Sequence, residues 1–285
     1  MAVLSRHFRK ETHEPTIRFN DGKAIPQLGF GVWQVPNEGA NAAVTAAIEA
    51  GYRSIDTAAI YGNEEGVGDA LAASEVDDIF LTTKLWNSAQ GYDSALKAFD
   101  ASLRKLRRDT IDLYLIHWPV PSRDRYVDSW KALIKLREEG RVASIGVSNF
   151  QIAHLERLKA ETGVVPAINQ VELHPRFQQQ ELRTYHASEG IVTEAWSPLG
   201  QGTLLEDPAL VALAQKYGKT AAQVILRWHL DIGNVVIPKS VTPSRIVENF
   251  QVFDFRLTPE DIAAIEKLDD AKGKIGPDPD TFAMG

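Results

Sequence analysis

Residues 51–71 read GYRSIDTAAIYGNEEGVGDAL, and the way this run divides decides the fold. Ser54–Asp56 reads as a short buried strand that delivers a carboxylate to a loop, and the loop carries Tyr61. Asn63-Glu64-Glu65 then opens a helix, since Asn is a good N-cap and two acids in the first turn suit the helix dipole. Asp56 thus stands at the C-terminal end of a strand, where parallel barrels and open α/β sheets keep their chemistry. On these residues alone, a turn-capping Asp56 and a half-buried loop Tyr61 are the plainer reading. The rest of the chain overturns it.

Outward from this run, one pattern repeats: a short β-rich segment, a loop, then an amphipathic helix. Strands are expected at Leu28–Val32, Ser54–Asp56, Ile79–Lys84, Ile111–His117, Ser144–Ser148, Ala167–Glu172, Ile191–Trp196 and Asn234–Pro238. Further helices are expected at Gly39–Ala50, Asp93–Leu106, Ser129–Glu139, Ile152–Thr162, Gln179–Glu189 and Thr220–Asp231. Eight such units without a Pro-, Gly- or Ser-rich linker predict an α/β chain closed into a (β/α)8 TIM barrel. Two extra helices, Pro208–Tyr217 and Pro259–Leu268, are surplus to the eight units. At the start, TIRFNDGKAI (residues 16–25) is two extended runs around Asn20-Asp21-Gly22, a β-hairpin signal that places a lid on the barrel floor. Residues 1–15 read as a loose arm, and 16–285 as a single domain. The doubly wound alternative lacks its dinucleotide fingerprint, because Gly29-Phe30-Gly31-Val32-Trp33-Gln34 fails at the third glycine.

Composition narrows the function classes. The 285 residues are 44% hydrophobic and 24% charged, ordinary for a globular protein. A net charge of −7 argues against general binding to nucleic acid or anionic membranes. With no cysteine there is neither a disulfide framework nor a thiolate site. No apolar run is long enough to span a bilayer, and the basic-acidic N-terminus is not a secretory signal. The cytoplasm is the expected compartment. His-Glu-x-x-His is missing and the other histidines mostly fall away from strand ends, so no catalytic metal is expected. His174, two residues after Glu172, reads as part of a turn set by Pro175.

Strand alternation then gathers the chemistry. Residues 111, 113, 115 and 117 share a face, so His117 points inward at the mouth; Phe80, Thr82 and Lys84 do the same one strand earlier. Asp56, Lys84 and His117 therefore come from neighbouring strands to one place, with Tyr61 looping over it. A free phenol ionises near pH 10 and is a poor acid at neutrality. An adjacent ammonium is expected to lower that value, and Asp56 to hold Lys84 charged and in place. Neutral His117 can orient a carbonyl oxygen while Tyr61 protonates it. Nothing in the set supplies a hydride, so a reduced cofactor is required.

The chain resembles the aldo-keto reductases, most of all the bacterial 2,5-diketo-D-gluconate reductase group, from about Thr16 to Leu268. The resemblance rests on Gly51-Tyr52-Arg53-Ser54-Ile55-Asp56 with Tyr61, Lys84-Leu85-Trp86, Leu115-Ile116-His117-Trp118-Pro119, Gly146-Val147-Ser148-Asn149-Phe150 and Ile237-Pro238-Lys239-Ser240. It implies that Asp56, Tyr61, Lys84 and His117 form a catalytic tetrad, with the tyrosine as general acid and NADPH as hydride donor. It implies that Ser148, Asn149 and Gln170 hold the nicotinamide carboxamide and that Glu248 and Asn249 meet the adenine. A monomer acting on a small carbonyl compound, with 2,5-diketo-D-gluconate as the candidate substrate, is expected.

From the residues themselves, Trp196 offers a π face to the nicotinamide, or else is a rim aromatic; both readings stay open. Ser197, Pro198, Leu199 and Gly200 read as a loop along the pyrophosphate. After the last strand, Lys239, Ser240, Val241, Thr242 and Arg245 surround a helix start, with Thr242 as N-cap and Pro243 at N1. Its free N–H groups and the two cations suit a 2′-phosphate, hence NADP rather than NAD, or alternatively the phosphate of a substrate. Trp33, Trp86 and Trp118, each just after a strand, are expected to wall the substrate pocket beside His117. The Pro-rich tail Gly273–Gly285 is expected to be loose. Two other functions remain open at this point: an NADP(H)-binding regulatory protein without turnover, and a phosphate-binding barrel lyase or isomerase.

Overall fold

The computed structural model describes residues 14–285. Residues 1–13, most of the expected arm, lie outside the described residues. Glu14 and Pro15 are tied down: Glu14 Oε1 accepts from the Leu28 amide at 3.0 Å, and Pro15 O from the Gln27 amide at 2.8 Å.

A hairpin comes first, β1 (Thr16–Arg18) and β2 (Ala24–Pro26), paired antiparallel around the Asp21-Gly22 turn. Eight parallel strands follow: β3 (Phe30–Gly31), β4 (Ser54–Asp56), β5 (Phe80–Leu85), β6 (Ile111–Ile116), β7 (Val142–Ser148), β8 (Ile168–Glu172), β9 (Val192–Trp196) and β10 (Val235–Val236). Each pairs with the next in chain order. The sheet closes on itself through Leu28 and Val236, with Gly29 N donating to Val236 O at 2.8 Å and Gly31 N to Pro238 O at 3.1 Å. Closure removes both sheet edges. The chain is a (β/α)8 barrel.

The helices are α1 (Asn37–Ala50), α2 (Glu64–Ala73), α3 (Tyr92–Leu106), α4 (Tyr126–Glu138), α5 (Ile152–Thr162), α6 (Gln180–Glu189), α7 (Pro208–Tyr217), α8 (Ala221–Asp231), α9 (Pro243–Phe250) and α10 (Pro259–Glu266). In α3 the buried residues Ala95, Phe99, Ser102, Leu103 and Leu106 fall on one face at helical spacing. The surplus helices α7 and α10 pack on each other, outside the eight repeats.

The hairpin is the floor. Phe19 and Ile25 pack into the barrel interior against Leu113, Leu115, Ile168 and Val235. Asn20 Nδ2 donates to Pro166 O, and Ser144 Oγ to Asp21 Oδ2 at 2.6 Å. With that end plugged, the opposite mouth is left for chemistry.

Two expectations about helix starts are corrected. Asn63 precedes α2 but makes no capping bond; its buried amide donates to Val32 O and Val35 O and accepts from Thr57 Oγ1, tying three mouth segments together. Glu64 is likewise buried, accepting from Thr83 Oγ1 at 2.7 Å. Thr242 makes no side-chain cap either; Ser240 Oγ accepts from the Thr242 amide instead.

Candidate active site

Asp56 ends β4 and Lys84 is the fifth residue of β5, both pointing into the barrel near its mouth. Lys84 is fully buried, and an ammonium there needs partners. Its Nζ donates to Asp56 Oδ1 at 2.5 Å and to Thr57 O at 2.9 Å. Tyr61 sits on a single 3₁₀ turn, Ala59–Tyr61, stopped by Gly62 in the left-handed region. This turn folds the ring over Lys84, whose Nζ is 5.1 Å from the ring centroid. His117 follows β6 directly, its amide still donating to Leu85 O at 3.1 Å. Its ring meets Tyr61 edge-on at 5.8 Å and Trp86 at 5.2 Å between centroids. Four residues from three strand ends and one loop thus meet at one point.

Charge follows from these neighbours. Burial alone would strip the proton from Lys84, yet the Asp56 carboxylate, Tyr61 and Glu194 together raise its pKa. It stays an ammonium. His117 is pushed well below the usual histidine value by burial and then by Lys84, so it is neutral at pH 7. The expectation for Tyr61 is corrected: its pKa is raised, because burial outweighs the pull of Lys84, and Asp56 and Glu194 add to the push. The ammonium does lower it, but by less than burial raises it.

Around this point lie the residues expected to hold a cofactor. Ser148 and Asn149 leave β7, and Gln170 lies in β8, all buried with internal partners. Gln170 Nε2 donates to Asp56 Oδ2 at 2.8 Å, so Gln170 buttresses the carboxylate. Ser148 Oγ donates to Gln170 O, and Asn149 Nδ2 to His117 O at 3.0 Å. Trp196 ends β9 half-exposed, its indole N–H donating to Asn149 Oδ1 at 2.8 Å. Ser197, Pro198, Leu199 and Gly200 form the next loop, and Pro198 is fixed from below by His229, whose Nε2 lies 3.2 Å from Pro198 O. Lys239, Val241, Thr242 and Arg245 are exposed around the start of α9, with Ser240 half-exposed, Glu248 half-buried and Asn249 buried. A half-exposed aromatic face, neutral His117 and a solvated pair of cations at a helix start fit a nicotinamide dinucleotide carrying an extra phosphate.

Non-glycine residues with left-handed backbone concentrate at this mouth: Gln34 (φ 61°), Val120 (φ 45°), Asn149 (φ 61°) and Ser197 (φ 47°) follow β3, β6, β7 and β9. Such strain, of order 1–3 kcal/mol each, persists where surrounding structure enforces it and clusters at functional sites.

The three tryptophans differ. Trp86 is half-buried against His117, Trp118 is buried, and Trp33 is 41% exposed. The wall that sequence reasoning missed is the tail, which is anchored rather than loose. Phe282 packs against Trp118 at 4.4 Å and Trp86 at 6.5 Å between centroids. Asn87 Nδ2 donates to Met284 O and Arg123 Nη2 to Ala283 O. Upstream, the amides of Ile275 and Gly276 donate to the Glu172 carboxylate at 2.7 and 2.6 Å. His174, read from sequence as part of a turn, pairs with Phe177 through its backbone and holds Glu172 from behind at 2.9 Å. Gly276 lies so close to Trp196 that a Cβ there would fall 2.5 Å from the ring. A cavity of about 220 Å³ lies behind Trp196, between Asn149, Glu172 and the tail. The available signals were Glu172 and His174 bracketing a strand end, and one aromatic in the tail.

Comparisons with known proteins agree with this geometry. The model of the aldo/keto reductase family matches residues 27–270. An aldo-keto reductase of Mycolicibacterium smegmatis is 59% identical, covering 94% of this chain and 98% of that protein. Methylglyoxal reductase DkgA of Escherichia coli strain K12 is 56% identical over 93% of this chain and 97% of its own length. Among solved structures, a Gox0644 mutant in complex with NADPH superposes with a TM-score of 0.91 at 52% identity, covering 93% of this chain and 97% of that one. Strand ends, tyrosine turn and sequence likeness lead to one statement: the chain belongs to the aldo/keto reductase family.

Proposed function

We propose that this protein is a reductase for small, polar aldehydes and ketones that uses NADPH, with Tyr61 as the general acid. The observation that carries the reading is the 2.5 Å contact of buried Lys84 with Asp56 beneath the Tyr61 phenol. NADPH, when bound, supplies a hydride to the carbonyl carbon. The support for NADP rather than NAD is the exposed pair Lys239 and Arg245 beside Ser240 and Thr242 at the start of α9. Trp196 and the Ser148, Asn149 and Gln170 group are the proposed nicotinamide contacts, with Ser197–Gly200 along the pyrophosphate and Val241, Glu248 and Asn249 around the adenosine end.

The chain's own residues do the rest. His117 carries one proton as a neutral ring; its Nδ1 is buried without a partner, and we assign the proton to Nε2, the nitrogen left to donate to a carbonyl oxygen. Tyr61 passes its proton to that oxygen as negative charge develops there. The raised pKa of the phenol is no obstacle, because an alkoxide is a stronger base than a phenolate. Lys84 then stabilises the phenolate left behind, and Asp56 keeps Lys84 in place.

The substrate wall of Trp86, Trp118, Phe282 and the rim residue Trp33 is narrow and aromatic, which favours compact substrates. Dicarbonyls are the class we favour, with methylglyoxal and 2,5-diketo-D-gluconate the first two to assay. No helix among the described residues is long and apolar enough to cross a membrane, and a cytoplasmic monomer is part of the proposal. In Tyr61→Phe, carbonyl-dependent loss of NADPH absorbance should fall by about 10²–10⁴-fold while quenching of tryptophan fluorescence by NADPH persists. Normal turnover in that variant removes Tyr61 as the acid. Quenching by NADPH without turnover on any carbonyl in the parent would mark a binding protein instead.

A further inference from the structure

One carboxyl in the barrel has no place in the mechanism above. Glu194 is the middle residue of β9, 1% exposed, where a strand buried on both faces ordinarily carries an apolar side chain. Its Oε2 has no hydrogen-bond partner among the described residues. In register, Glu194 stands beside Gln170 on β8 and Val235 on β10. Gln170, beside Glu194 in the ladder, donates its side-chain amide to Asp56 Oδ2 at 2.8 Å, and Asp56 in turn holds Lys84, so Glu194 stands one side chain away from the ion pair.

We propose that Glu194 is a positioning residue of the catalytic cluster: it holds a proton in the working enzyme, leaving Asp56 and Lys84 as a neutral pair, and surrendering that proton makes Tyr61 harder to ionise. The inference rests on the tyrosine-acid reading given above. Two ionised carboxylates beside one ammonium would leave net negative charge buried in the barrel, and an unpartnered buried carboxyl avoids this by staying neutral. The charged and titratable groups acting on it are Asp56 and Lys84; it acts in turn on Tyr61 and Lys84, while its strand neighbours Gln170 and Val235 carry no charge. Burial, then Asp56, push its pKa up to about 8 against the pull of Gln170 and Lys84. Ionised Glu194 raises the Tyr61 pKa. Oxidation of an alcohol by NADP+ needs Tyr61 as phenolate, so that direction reads Glu194 most directly.

The test is Glu194→Gln, which keeps shape and neutrality but cannot ionise. The alkaline rise of kcat for alcohol oxidation should move to lower pH by about one unit, with quenching by NADPH unchanged. A role confined to packing changes kcat equally at every pH and leaves that midpoint still; an unmoved midpoint overturns the proposal. Infrared spectroscopy decides independently of turnover and of whether the variant folds. Glu14, whose pKa burial also raises to about 8, is first replaced by Gln to remove its signal. The remaining protein should show a protonated-carboxyl band at pH 7 that vanishes as pH passes 8, and no such band at pH 7 overturns the proposal. Because the band needs no substrate, a parent inactive on every carbonyl counts against the reductase reading and not against the proton on Glu194.

Discussion

The two ends of the cleft are built on opposite principles. At the end proposed to react, Asp56, Lys84, Asn149 and Gln170 are nearly or fully buried, and the side chain of each is hydrogen-bonded within the protein. At the end proposed for the 2′-phosphate, Lys239 and Arg245 carry their charges in solvent around the start of α9. The first end is arranged before any ligand arrives, so its geometry costs nothing further at the moment of reaction. The second, on the proposed assignment, waits for a multiply charged partner, where solvated cations lose little until they bind. Damage at the first end should therefore abolish chemistry and cost stability; damage at the second should only weaken binding.

Lys84→Met tests the first half of that contrast. Carbonyl reduction should drop by about 10²–10⁴-fold, since the phenolate left by proton transfer loses its cation. Unfolding free energy should also fall, by about 3–5 kcal/mol, because Asp56 is left buried and unpaired. Adding Asp56→Asn should restore most of the stability in urea unfolding and none of the activity. Stability that stays low in the double variant would mean that packing around Lys84, not the ion pair, is what the site depends on. Arg245→Ala tests the second half. Loss of one charge-assisted contact of about 1.5–3 kcal/mol predicts roughly 10- to 100-fold weaker NADPH, with NADH and the unfolding midpoint nearly unchanged. Equal losses for the two nucleotides would move the 2′-phosphate away from Arg245.

The same division explains what the sequence could disclose. Strand alternation placed Lys84 and His117 on the inward face because a period of two leaves no choice once the apolar partners are known. The eight units, the hairpin floor and the surplus helices were legible for similar reasons. Strand ends were less so: the closing strand shrinks to Val235–Val236, and His117 falls one residue past β6. Side-chain partners that span the barrel were not legible at all. Nothing local to Gln170 says that its amide is spent on Asp56, or to Asn63 that it ties three segments rather than capping α2. The Tyr61 pKa was misjudged for a related reason, since nothing local to the tyrosine says how deeply the fold buries its phenol, and that burial outweighs the pull of Lys84. The tail was read as loose from its prolines, although its anchor, Glu172, lies about a hundred residues earlier.

That tail is a third kind of wall, and it sharpens the contrast with the smallest effect. It touches Trp86 and Trp118, not the reacting atoms, so loosening it should alter how a substrate is held and leave the proton step alone. Glu172 accepts two backbone amides and pairs with His174; burial opposes its ionisation, but these three partners prevail and lower its pKa below the ordinary carboxylate value. A carboxyl depressed on folding contributes stability that is present above its unfolded pKa and lost as pH falls through the folded one. The tail clamp should therefore hold at neutrality and release only in acid. Glu172→Gln keeps the shape but loses the charge, so KM should rise about 3- to 10-fold with kcat within about twofold. Hydrogen exchange of the Ile275 and Gly276 amides should quicken at pH 7, and the difference from the parent should vanish at a pH low enough to protonate Glu172. Exchange unchanged at pH 7 would show that the aromatic contacts of Phe282 anchor the tail by themselves.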